Sequence, residues 1–501
     1  MATVEELKKV RIEKLNKIQD AGIDPYPAKV SKTHDIFDLN NNYQKIFESN
    51  EKVSIVGRIM SIRGQGAIIF LDLFDGTGTG DSTGRFQAVL KSDNNLTHIE
   101  KSDISGFEFF KEVVDTGDFV MVSGKLFETK RGQKSIEVSE WQMVAKSLRP
   151  IPDEWFGLKD EDERYRRRYI DIILNPESRK IIEQKSVFWN SFRNFLLKKN
   201  FIEVQTPVLE NTTGGADARP FVTHHNALDI DVYLRISCGE LWQKKLLVAG
   251  LPKVFEIGRI FRNEGMSKEH LQDYTQIEFY EAYSDYKSGM EMVKELYRTV
   301  ANETFGTAVF EINDKKVDLN DDWQIFDFVK ILHERFGVDV LSADINSIIS
   351  ILKKNKIDFD KNINKEKAVD QLWKSIRGEY AGPGFLINIP VFLEPLAKKS
   401  FADDRVVERF QIILGGSEMG KGFSELNNPL DQKERFDHQD SLRKSGDDEA
   451  QMNDGEYVEA MEYGMPPAFG FGISERLFSV LAGKSIRETT IFPIMKPRDE
   501  K

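Results

Sequence analysis

From Val254 to Tyr283 the chain reads VFEIGRIFRNEGMSKEHLQDYTQIEFYEAY, two strand-like runs joined by a polar loop. Side chains alternate across a strand, so the residues sort by parity. Ile260, Arg262 and Glu264 share one face of the first run, and Tyr274, Gln276, Glu278 and Tyr280 share one face of the second. Ile277 and Phe279 point the other way. One face is apolar and packs. The other carries an arginine, carboxylates and phenols, with His270 in the intervening loop. An ordinary solvated face is the bland account; the chemical one is a floor that holds an anion with Arg262 and a cation with Glu278. A second candidate lies in GFGISER, where a strand bearing Gly470 and Gly472 runs into a helix starting near Glu475. Arg476 then falls in the first helical turn, where a buried anion meets a helix N-terminus and a guanidinium together.

These residues need a scaffold, and 501 residues suggest two or three domains rather than one core. Apolar content of 40% and charged content of 30% describe a globular protein. The one cysteine, Cys238, excludes an intramolecular disulfide and suits a reducing compartment. No signal peptide and no membrane-length apolar run is visible, so a cytoplasmic location is expected. A net charge of −12 argues against indiscriminate nucleic-acid binding but leaves room for a local basic surface.

Taken in order, residues 1–50 hold a helix over 3–20 and a lead-in. The helix's basic side faces either solvent or a nucleic-acid backbone. Five strand-like runs between Val53 and Val144, with a helical stretch over 94–112, predict a five-stranded oligonucleotide-binding barrel over 51–148. The turn GTGTGDSTG is a hairpin tip, since its glycines do not fit a dinucleotide fingerprint. On the barrel, Phe70 is placed to stack on a base and Gln87 and Glu140 to read base edges, although structural roles serve each equally well. Residues 149–177 read as a linker whose Arg164–Arg168 cluster meets either phosphate or the acids at 160–163. An α+β unit follows over 178–501, mostly helical between 315 and 375. GKS at 483–485 lacks the glycine of a phosphate loop, no His/Cys cluster has zinc spacing, and no nucleophile elbow is present.

Three separated stretches, FIEVQTPVL after a long helix, FRNEG with IEFYEAY, and GFGISER, resemble motifs 1, 2 and 3 of the class II aminoacyl-tRNA synthetases. RYRRRYIDIILNPESR, GGADARPFVTHHNALDIDVYLRI, GFSELN and GIDPYP narrow the resemblance to the lysyl-tRNA synthetases, over nearly the whole chain. The resemblance implies an antiparallel catalytic sheet flanked by helices, a homodimer built on motif 1 and an anticodon-binding barrel. It implies ATP-dependent activation of L-lysine and transfer to tRNA(Lys), with Mg2+ assisting and no membrane involved.

Residue by residue, the resemblance puts Arg262 on the ATP α-phosphate and the lysine carboxylate, and Arg476 on the γ-phosphate. It gives Glu264 the adenine amino group, His270 the phosphates, and Tyr274 a stacking position where the family usually has phenylalanine. Glu240, Glu278, Tyr280 and Glu425 correspond to the lysine pocket, where a buried ammonium needs paired anions.

The chain departs from that pattern in four places. Gln411 stands where the family usually has a magnesium-ligating glutamate, Glu418 being retained as the other ligand, and Lys421 stands where asparagine lines the lysine pocket. The two changes add the charge of one divalent cation, so Lys421 is expected to replace a magnesium position beside Glu418 and leave fewer ions than usual. The rival expectation has Lys421 fill the lysine pocket and alter substrate preference. Glu269 replaces an arginine beside His270, and Ser474 intrudes among the glycines of the last motif. Two other functions remain open: an aspartyl- or asparaginyl-type synthetase, against which the acids speak, and a tRNA-binding paralogue with altered catalysis.

Overall fold

The computed structural model describes residues 3–498 apart from 79–83, 94–95, 99, 101–105, 153–157, 159, 217, 266, 268, 361–362 and 446–449. Much of the GTGTGDSTG turn and of the helical stretch expected before residue 106 therefore lies outside the described residues. The chain divides into two compact units, Met1–Lys180 and Ile181–Lys501.

The first unit opens with helix Val4–Asp20, whose start is fixed by a capping box between Thr3 and Glu6. Its basic side faces neighbouring acids: Lys14 pairs with Asp115 at 2.6 Å and Lys17 with Glu112 at 2.5 Å. Buried Arg11 donates to the Thr116 carbonyl at 2.9 Å. Strands Val53–Gln65, Ile68–Phe74, Arg85–Lys91, Phe119–Glu128 and Lys134–Ala145 form the barrel. It closes because Arg85–Lys91 also pairs, in parallel, with Lys134–Ala145. The alternation read in the sequence is the barrel's inside and outside: Ile69, Leu71 and Leu73 are buried while Phe70 and Asp72 are half-exposed. Fully buried Trp141 closes the interior, with the rings of His98 and Phe110 set edge-on at 4.6 and 5.0 Å. The segment read as a linker instead carries helices Glu161–Arg166 and Arg168–Leu174. Its arginines find acids on both sides, Asp171 as well as Glu163. Arg164 and Arg168 lie 2.8 and 2.9 Å from Asp171, and Arg167 lies 3.2 Å from Glu163.

The second unit is built on an eight-stranded sheet. From one edge its strands are Gln324–Asp327, Gly384–Ile387, Arg409–Leu414, Ser417–Ser424, Ala468–Ser474, Asp273–Ala282, Lys253–Phe261 and Ile202–Glu203. The six strands from Gly384–Ile387 to Lys253–Phe261 are antiparallel to their neighbours, and the two edge strands join in parallel. One face is apolar. Ile277, Phe279, Phe410, Ile412, Phe469 and Phe471 are at most 2% exposed and pack with Phe188 and Phe192 of helix Pro176–Lys198 and Val293 and Leu296 of helix Tyr286–Phe305. At roughly 1.5–3 kcal/mol for each fully buried large apolar side chain, this face holds the sheet rigid beneath its polar side. The stretch 315–375 is helical in three segments, and it also supplies the edge strand Gln324–Asp327, which the sequence reading had missed.

Candidate active site

On the polar side of the sheet two rows of residues run across neighbouring strands in register. One row is Gln411, Lys421, Gly472 and Glu278; the next is Arg409, Phe423, Gly470 and Tyr280. Strands lie about 4.8 Å apart, so each glycine leaves a gap between the side chains flanking it. A Cβ on Gly472 would stand 3.3 Å from Glu278 Cγ. Above these rows opens a cavity of about 350 Å3, lined by Glu240, Arg262, Tyr274, Glu278, Tyr280, Gln411, Glu418, Lys421 and Arg476 among others. Nine residues proposed from sequence thus share one wall. Glu425 Oε1 occupies the space that a side chain on Gly470 would fill, beside Tyr280. Glu264 and His270 belong to the loop after the first strand, where Ser267 Oγ lies 2.8 Å from His270 Nδ1. That strand ends at Phe261, so Arg262 enters the cavity as the first loop residue and not from the strand itself. Its backbone N–H donates to the Gln272 carbonyl at 2.7 Å and its Nε to the Ile236 carbonyl at 3.2 Å. The guanidinium carbon is 5.9 Å from the Tyr274 ring centre.

Three acids are buried at or beside this cavity. Glu240, Glu278 and Glu425 are 4%, 3% and 1% exposed. Glu278 is held by neutral donors: the Cys238 N–H at 2.8 Å, Gln276 Nε2 at 2.6 Å and the Tyr280 hydroxyl at 2.9 Å. Burial, reinforced by Glu240, pushes its carboxyl up to about 7. Glu425 is pushed up to about 8, again chiefly by burial.

Sequence reading missed the group that joins them. Lys244 is completely buried, its Nζ 2.8 Å from Glu240 Oε1 and 2.5 Å from Glu425 Oε2. Burial opposes its charge, but Glu240 and then Glu425 outweigh that and hold the ammonium above its ordinary value. Glu425 receives no aligned hydrogen bond from the described residues, so its Oε1 remains an orphan acceptor. The available signal was spacing: Lys244 lies one helical turn beyond Glu240 on helix Glu240–Val248.

Around Lys421 the arrangement differs from the expected one. Its Nζ lies 3.5 Å from Glu394, not beside Glu418, and Arg409 Nε reaches the same Glu394 oxygen at 3.1 Å. The reason is topological: Glu394 is buried next to this row, whereas Glu418 turns toward Trp373 Nε1 at 2.7 Å and Arg377 Nη1 at 3.2 Å. Glu269, read as a lost phosphate contact, forms an ion pair with Arg476. Ser474 accepts a 3.4 Å hydrogen bond from the Arg476 N–H, so the intruding serine supports the helix start. On the barrel, Phe70 and Gln87 occupy outward positions of neighbouring strands. Gln87 donates to Ser135 Oγ at 2.8 Å, and Glu140 pairs with Lys52 at 2.7 Å.

The sequence that builds this sheet and its cavity matches known families. The family described as tRNA synthetases class II (D, K and N) covers residues 160–496, and an OB-fold nucleic acid binding domain covers 53–151. The lysine–tRNA ligase of Fervidobacterium nodosum is 39% identical over 99% of this chain and 95% of its own length. Those of Thermosipho africanus and Clostridium perfringens are also 39% identical, covering 99% and 98% of this chain and 97% of their own. The fold and site define a class II aminoacyl-tRNA synthetase. Within that class, the chain belongs to the lysine–tRNA ligase family.

Proposed function

We propose that the chain joins the carboxylate of L-lysine to the α-phosphorus of ATP, releasing pyrophosphate, and then passes the lysyl group to the 3′ end of tRNA(Lys) with release of AMP. The observation that carries this reading is an excess of buried acids: Glu240, Glu278 and Glu425 are all buried, and the one resident ammonium, Lys244, pairs with Glu240 and Glu425. Such a site attracts another amine and leaves a neutral side chain facing unpaired acids. An aspartate-type substrate would need the opposite charge.

Arg262 is assigned the lysine carboxylate and α-phosphate, where negative charge gathers as the carboxylate attacks. The nucleophile is already an anion, so no general base is required, and positioning with electrostatics suffices. Arg476 takes the terminal phosphates, Tyr274 stacks on adenine, and Glu264 and His270 bind the nucleotide's adenine and phosphates from the loop. Glu240, Glu278, Tyr280 and Glu425 receive the amino groups of lysine. Enzymes of this family use ATP and Mg2+.

The barrel is assigned the anticodon, with Phe70 and Gln87 on one outward surface supporting that role. A homodimer is supported by exposed apolar side chains on one continuous segment, Val187, Leu197, Ile202, Val208 and Leu209, each 42–49% exposed. The absence of a long apolar helix among the described residues is consistent with a cytoplasmic site of action. Pyrophosphate exchange into ATP with lysine, aspartate and asparagine in parallel tests the reading. Exchange with lysine alone is expected; exchange with another of the three, or with none, overturns it.

A further inference from the structure

The family's magnesium is not matched by the residues at 411 and 418. The side-chain oxygen of Gln411 accepts from Arg409 Nη2 at 2.7 Å, and its amide nitrogen donates to the Gly420 carbonyl at 3.0 Å. A bulge between Gln411 and Ile413 turns the strand here. Both ends of the amide are thus committed, and the oxygen a metal would need already faces a cation. Glu418 has one oxygen on Trp373 and the other on Arg377. Among the described residues no group of three or more His, Cys, Asp or Glu could hold a metal ion. Counting the charges in contact, Glu394 and Glu418 face Arg377, Arg409 and Lys421. The patch is therefore positive by one unit before any ion arrives.

Resting on the function proposed above, we propose that Lys421 is the fixed cation of this site, standing in for a divalent ion that the Gln411–Glu418 pair does not hold. Glu394, 6% exposed, anchors both Arg409 and Lys421. One buried carboxylate shared by two cations leaves an unneutralised positive charge. Arg409 is the more buried, with 13% of its side chain exposed, whereas Lys421 is 40% exposed and lines the cavity with Arg262 and Arg476. In the cross-strand row the gap at Gly472 separates Lys421 from Glu278. Lys421 thus flanks that gap on one side and Glu278 on the other, and both line the same cavity. A lysine cation is a point charge on a flexible stem. Here the anchor fixes it before substrate binds, so it can meet the lysine carboxylate or the α-phosphate without a metal's coordination shell. The rival expectation, that Lys421 plugs the pocket for the substrate amine, is not favoured, because the ammonium is drawn to Glu394 and not to Glu240, Glu278 or Glu425.

The test counts ions. Tightly bound Mn2+ per site is measured by electron paramagnetic resonance on the full chain with α,β-methylene-ATP and lysine. Measurements compare the native chain, Glu418→Gln and the double variant Gln411→Glu/Lys421→Asn. The expected result is an unchanged count in Glu418→Gln and one additional ion in the double variant. A native ion lost on Glu418→Gln overturns the proposal, and this arm does not depend on the double variant folding. A double variant that folds and gains no ion also overturns it. Lysine-dependent pyrophosphate exchange by the native chain is read separately, so failure of the underlying function is distinguished from failure of the metal replacement.

Discussion

A Cβ added to Gly470 would stand 2.0 Å from Glu425 Oε1 and 2.5 Å from Tyr280 Cε1. The glycine leaves the space that the buried carboxylate occupies beside Tyr280. Gly470→Ala is therefore predicted to displace Glu425 and Tyr280, because overpacking a tight interior costs about 1–3 kcal/mol. The Michaelis constant for lysine in pyrophosphate exchange should rise about tenfold or more, while that for ATP stays within about twofold. An unchanged lysine value removes Glu425 from the lysine pocket.

Breaking the Lys244 cluster should be costly. Lys244→Met leaves Glu240 and Glu425 buried with no resident counter-charge. Removing one partner of a buried pair destabilises by about 3–5 kcal/mol. Thermal unfolding of the second unit should drop by several degrees, and the triple variant Lys244→Met/Glu240→Gln/Glu425→Gln should recover part of the loss. A Lys244→Met chain as stable as the native one contradicts the ion-pair geometry.

The acids also predict a pH dependence. Burial raises Glu278 to about 7 and Glu425 to about 8, against an ordinary value of 4.5. Carboxyls raised on folding contribute stability that is fully present below about pH 4.5 and lost as pH rises through 7 to 8. Binding an ammonium favours the ionised forms, so lysine affinity should move the other way. The dissociation constant for lysine, measured by calorimetry, should fall by about tenfold or more between pH 6 and 7 and flatten only above about pH 9. Proton release should accompany binding. Glu278→Gln should weaken binding overall and reduce the slope; a slope unaltered in that variant excludes Glu278 as a titrating partner.

Glu269 lies against Arg476 in the free chain. An anion arriving at that guanidinium must compete with the loop carboxylate. Glu269→Gln is predicted to lower the Michaelis constant for ATP about two- to fivefold, the size of effect expected from a partly exposed ion pair. Steady-state kinetics at low ionic strength checks this, and the gain should shrink as salt is added. No change, or a rise, removes the competition.

Much of this was legible in the chain because strand parity and motif spacing are local signals. The parity of Tyr274, Gln276, Glu278 and Tyr280 gave their common face, and the acid–arginine pair at 475–476 gave the helix start. The five barrel strands were visible from their alternation and turns. What escaped were partnerships set by tertiary contact. Glu394 lies far from Lys421 in sequence, and nothing local announces that it will be buried beside that lysine and Arg409. The hold of Trp373 and Arg377 on Glu418 likewise depends on where the end of a separate helix lands. Asp171 meets Arg164 and Arg168 because two short helices turn there.

The buried Lys244 gives the pocket an amine of its own, with the rings of Phe423 and Tyr280 at 5.3 and 5.7 Å. On the function proposed above, an arriving lysine would not enter a blank negative hole; it would join a member of its own kind already seated among the same acids. Recognition there is a matter of counting, one occupant built in and one supplied, and a molecule that brings no amine leaves the count short.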